Sequence, residues 1–183
     1  MDEENDIVKN IETIFLNSCS SEELFDAFHY AIKKRINDPT LYKILIANPV
    51  LTLDEIRMYS NKAVVEFPEL LYPVSLWAAK VLEPKNNDSE YLEHCLYYFT
   101  KAIQAKPTSH EPLINLINIY NTDIVHPVNN KIIEIIERGV KDVDKKSRVY
   151  HALSLLYRRM NNETKASKYA ELAAKCFRDE TIG

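Results

Sequence analysis

The segment Cys95–Tyr120, CLYYFTKAIQAKPTSHEPLINLINIY, restricts the fold more than any other part of the chain. Cys95, Phe99 and Ala102 fall on one helical stripe, and Pro107 follows five residues after Ala102. Leu113, Leu116, Ile117 and Tyr120 form a second stripe beyond it. Apolar residues at three- and four-residue steps on both sides of a proline describe two helices joined by a turn. Gly139 and Gly183 are the only glycines in 183 residues. Tight β-hairpin turns usually need positive φ, so long sheets are disfavoured and an all-α chain is expected.

The same grammar recurs along the sequence. Residues 5–17 place Ile7, Ile11, Ile14 and Phe15 on one helical face. Ser20 or Ser21 then caps a helix carrying Leu24, Phe28 and Ala31, with Glu22 and Glu23 at its positive end. That helix is expected to end near Asp38-Pro39. A short helix with Tyr42, Leu45 and Ile46 stops at Asn48-Pro49, because a residue before proline avoids the helical region. Thr52 and Glu55 have capping-box spacing ahead of Ile56, Ser60 and Ala63. Val74, Trp77, Ala78 and Val81 follow, then the polar loop Glu83–Ser89. A break is expected at His126-Pro127, and Ile133 and Ile136 stripe a helix ending near Gly139. The last pair begins near Ser147 and carries Tyr150, Leu153, Ser154 and Tyr157, then Ala166, Ala170 and Ala173.

Aligned on Ala31, Ala63, Ala102, Ile136 and Ala173, the second helices recur at gaps of 32, 39, 34 and 37 residues. These scatter around a period of about 34 residues. The last pair, and the pair through Trp77, Ala78, Phe99, Ala102 and Pro107, resemble the tetratricopeptide repeat family. The resemblance covers most of the chain. It departs from the family pattern where Ala78, Ile117 and Ser154 stand in place of the usual glycine. It implies a single domain over 1–183, a right-handed α-solenoid of about five hairpins whose first helices line a concave groove. Such hairpins bury their faces against each other in a stack. A narrower similarity, through the KNNDS insertion and Tyr98-Phe99-Thr100-Lys101-Ala102, is to the tetratricopeptide scaffold subunit of the endoplasmic reticulum membrane complex, which assists membrane protein insertion.

The formal charge of −4 gives no basic excess of the kind that drives general nucleic-acid binding. Cys19, Cys95 and Cys176 are odd in number and widely spaced, which reads as a reducing compartment. The acidic start MDEENDIVKN lacks a signal-peptide core, and no apolar run spans a bilayer. A cytoplasmic location is expected, peripheral to the cytosolic face of the endoplasmic reticulum if the narrower similarity holds. The sequence lacks HExxH, GxSxG and glycine-rich phosphate loops. A non-enzymatic interaction scaffold, without cofactor or metal, is therefore expected, its partners being protein subunits or peptides. The alternative is a free adaptor that takes short acidic peptides.

Under the repeat alignment, Glu111, Ile114, Asn118 and Asn121 share the groove-facing side of one first helix. Arg148, His151, Arg158 and Arg159 share that of the last. Asparagines pair with an extended backbone, and arginines with carboxylates. The arginines also read as a solvated helix end that offsets the dipole. His94-Cys95 reads as a surface histidine beside a core cysteine, since helical neighbours point to different faces. Trp77 and Phe99 are expected in the core, with Tyr97 or Tyr98 exposed.

Overall fold

The computed structural model describes residues 2–83, 88–120 and 127–182. Among these it holds ten α-helices and a single 3-10 turn, with no strand. The helices are α1 (Asp2–Asn17), α2 (Ser21–Lys33), α3 (Pro39–Ile46), α4 (Leu53–Glu66), α5 (Leu71–Leu82), α6 (Ser89–Ala105), α7 (Glu111–Ile119), α8 (Pro127–Gly139), α9 (Lys146–Arg159) and α10 (Glu163–Ile182). Two compact units, Met1–Tyr98 and Phe99–Gly183, divide the chain, the boundary falling within α6.

The boundaries follow from capping chemistry. Ser20 accepts from the Glu23 N–H at 3.3 Å, and Thr52 and Glu55 form a complete capping box. Asp38-Pro39 starts α3 instead of ending α2: Asp38 Oδ1 accepts from Thr40 N at 2.8 Å, and Pro39 sits at the first helical position, where no N–H is needed. α2 ends earlier, where Arg35 adopts φ 56° and the Ile36 N–H reaches back to Ala31 O at 3.1 Å. α9 ends identically, with Asn161 at φ 55° and Asn162 N bonded to Tyr157 O at 2.9 Å. This six-to-one closure normally recruits glycine. The chain, nearly free of glycine, uses an arginine and an asparagine.

In the first unit α1 packs on α2 and α3, α3 on α4 and α5, and α4 on α2 and α5. The Cys95 thiol on α6 donates to Ala79 O of α5 at 3.3 Å. In the second unit α7 packs on α8 and α9, and α9 on α10. Ala31, Ala63, Ala102, Ile136 and Ala173 are all buried. On α8 the inner stripe is Val128, Ile132 and Ile136, with Ile133 only half-buried. Gly139 has no positive φ; a Cβ there would lie 2.9 Å from Leu113 Cδ2, so it lets α7 and α8 approach closely. The break at His126 lies outside the described residues, as do Lys85–Asn87 of the polar loop.

Several side-chain hydrogen bonds skip the neighbouring helix and join an element to its counterpart two helices away. Asn48 Nδ2 donates to Phe15 O across 33 residues, and Trp77 Nε1 to Lys43 O across 34. Arg35 reaches Glu66 across 31, and Asn37 reaches Glu69 across 32. In the second unit the Tyr169 hydroxyl donates to Glu137 across 32 residues. These separations of 31 to 34 residues lie near the period of about 34 in the sequence alignment, which was made without them.

Candidate functional site

α7 and α9 carry the residues expected to form the groove, and the structure divides them between two places. Asn118 of α7 meets Arg158 and Arg159 of α9 in a groove of about 520 Å³, completed by Ile117, Ala152 and Leu155. Asn118, Leu155, Arg158 and Arg159 are exposed. Arg148 and His151 lie elsewhere, lining a second groove between α9 and α10 with Ala170, Ala174 and Phe177. Separation within one helix explains the split. Arg148 and His151 occupy the first turns of α9, where α10 supplies the other wall of the groove, and Arg158 and Arg159 the last turn, where Asn118 of α7 does. Glu111 and Ile114 are half-buried on α7, and Asn121 lies outside the described residues.

The charged side chains that line the α7–α9 groove, Arg158 and Arg159, are both basic. α9, KSRVYHALSLLYRR, contains no carboxylate. Among the described residues neither Arg158 nor Arg159 has an ion-pair partner. Phe99–Gly183 carry fourteen Lys and Arg against ten Asp and Glu, while the preceding residues carry nine against seventeen. That division was legible in the sequence, but the net charge of −4 conceals it.

Arg148 is already engaged. Its Nη1 lies 3.4 Å from His110 Nε2. A guanidinium only donates, so Nε2 accepts and the ring proton sits on Nδ1. Burial, then the charges of Arg148 and Lys145, lower the His110 pKa and so favour the neutral ring. A neutral His110 ring can accept from Arg148 there.

The first unit has its own groove on α1, α3 and α5, about 350 Å³, which the sequence did not reveal. Leu16 of α1, Lys43 and Ile44 of α3, and Trp77 of α5 line it. Trp77 is half-buried, contrary to its expected place in the core, because its indole N–H must reach Lys43 O at 2.8 Å. Phe99 is fully buried. Of the tyrosine pair, Tyr97 is 45% exposed and Tyr98 is buried.

Burial, reinforced by the Glu83 carboxylate, pushes the Cys95 thiol up to about 12, so thiolate chemistry is suppressed there. His94 beside it is half-buried. Among the described residues no three His, Cys, Asp or Glu side chains gather as a metal site, and no helix is long and apolar enough to cross a membrane. No family model, curated protein or solved structure matches the chain.

Proposed function

We propose that this chain is a tetratricopeptide-like α-solenoid of about five hairpins, working as a non-enzymatic protein-binding scaffold within a larger cytosolic assembly. The period-length hydrogen bonds carry this reading. Asn48–Phe15, Trp77–Lys43, Arg35–Glu66, Asn37–Glu69 and Tyr169–Glu137 each bridge one repeat step. Successive first helices also pack together, α1 on α3, α3 on α5 and α7 on α9. A stack built this way leaves its first-helix faces free for other polypeptides. The insertion before α6 makes the endoplasmic reticulum membrane complex the first assembly to test. The test is native affinity isolation from the source cells in mild detergent. Stoichiometric partner subunits should co-elute, with integral membrane proteins among them if that assembly is the right one. Recovery of the chain solely as a free monomer would remove the scaffold reading.

The α7–α9 groove favours a second reading, an adaptor for short acidic peptides. Asn118 supplies a donor and an acceptor to a peptide backbone, Leu155 an apolar contact, and Arg158 with Arg159 two forks for carboxylates. Fluorescence anisotropy with a labelled acidic peptide tests this. Arg158→Glu with Arg159→Glu should abolish binding, and Arg148→Glu should leave most of it. Equal loss from both, or no loss from either, would discard the groove.

A further inference from the structure

Arg158 and Arg159 are consecutive and exposed, and among the described residues neither has an ion-pair partner. Both line the α7–α9 groove of about 520 Å³, with Ile117, Asn118, Ala152 and Leu155 as its other walls. Consecutive Cα atoms are about 3.8 Å apart, so two guanidinium groups are delivered to one small space. No carboxylate lines that space, and α9 contains none. On α7 the one carboxylate, Glu111, is half-buried and about 10 Å along the axis from Asn118. On α8, Glu134 pairs with Arg138 and Glu137 accepts from Tyr169. On α10, Glu163 is exposed but does not line the groove, and Glu171 and Asp179 come two turns or more later. Asp142 and Asp144 precede the start of α9, and Glu180 holds Ser147 there, at the opposite end of the helix. Asp123 lies outside the described residues.

We propose that the α7–α9 groove recognises a phosphorylated serine or threonine of a partner protein, an assignment that rests on the acidic-peptide reading above. Two guanidinium forks meet with a charge of +2. A single carboxylate carries −1, and its two oxygens are used up by one fork. Two carboxylates placed side by side in the groove would repel each other. A phosphate monoester puts a charge of about −1.5 to −2 and three acceptor oxygens on one tetrahedral centre, enough for both forks. The negative end of a helix works against an anion. Here that end is partly masked, because the carbonyls of Leu156, Tyr157 and Arg158 accept from Met160, Asn162 and Asn161. The remaining opposition makes both arginines necessary. Asn118 then pairs with the backbone beside the phosphorylated residue, and Leu155 meets an apolar neighbour.

The probe is a labelled peptide of about ten residues whose centre is serine, a glutamate pair or phosphoserine, with a leucine alongside. By fluorescence anisotropy the phosphoserine form should bind about tenfold or more tighter than the glutamate pair, and the serine form weakest. Arg158→Lys and Arg159→Lys keep the charge and lose the fork, so each should weaken the phosphopeptide about tenfold. Both side chains are exposed, so the variants should melt like the parent. A glutamate pair that binds as tightly as phosphoserine overturns the phosphate assignment and leaves the acidic-peptide reading standing. Binding by none of the three removes both. Unchanged affinity in either lysine variant also overturns it. So does an RNA oligonucleotide, or inorganic phosphate, that competes as well as the phosphopeptide, which would make the occupant a nucleic acid or the free ion.

Discussion

Asn161 and His110 show how single residues carry cost and role together. Asn161 holds φ 55° to close α9, a conformation glycine adopts freely and alanine does not. Asn161→Ala should therefore destabilise by about 1 kcal/mol, and Asn161→Gly should be close to neutral, as read by thermal melts. His110 sets an acid limb on stability. Its folded pKa lies below its ordinary value of 6.5, so the unfolded chain binds the extra proton first. Stability from this group is complete above that value and falls as the pH drops below it. Urea titrations at pH 7.5 and 5.5 should show the loss, and His110→Gln should flatten it. Tyr98 is a different case. Its hydroxyl is buried and makes no well-formed hydrogen bond, burial pushes its pKa to about 12, and the neighbouring Ser60 hydroxyl pulls weakly the other way. Removing an unsatisfied buried hydroxyl is neutral or favourable, so Tyr98→Phe should leave the melting temperature equal or higher.

Individual helices were readable where their signals are local. The Thr52–Glu55 box, the Ser20 cap and the Asn48-Pro49 stop involve neighbours within three residues. Burial of Ile56, Ser60 and Ala63 follows directly from their spacing. Asp38-Pro39 was misread because an Asp-Pro pair can close one helix or open the next. The Arg35 turn decided it, and nothing in an arginine announces positive φ. On α8 the expected Ile136 is buried, but Ile132 takes the place expected of Ile133, for a related reason. In PVNNKIIEIIERG the pairs Ile132-Ile133 and Ile135-Ile136 fit two adjacent faces, and the packed neighbours choose between them. Thr52→Ala should cost about 1 kcal/mol, because the capping box satisfies two helix-end donors at once. Glu55→Gln, which keeps the reach but loses the charge, should cost less.

At the scale of the whole molecule, the proposed repeat reading makes each hairpin depend on those beside it, so damage should be felt locally. Leu153 is fully buried on α9, and Leu153→Ala should cost about 2–5 kcal/mol. Hydrogen exchange should then accelerate more in Phe99–Gly183 than in Met1–Tyr98. Equal acceleration throughout both units would show one cooperative block instead.

The sequence alone determined that the chain is helical, where several helices start, and the spacing at which the buried residues Ala31, Ala63, Ala102, Ile136 and Ala173 return. Those are short-range matters of turn chemistry, glycine scarcity and helical periodicity. Only the tertiary structure decided which exposed residues share a cavity. Arg148 and Arg159 lie on one helix with the same charge, yet Arg148 lines a groove with α10 and touches His110 at the start of α7, while Arg159 lines a groove with Asn118 near the end of α7. A groove is made by two helices at once, and the sequence of one helix does not say which side chains of its neighbours complete it.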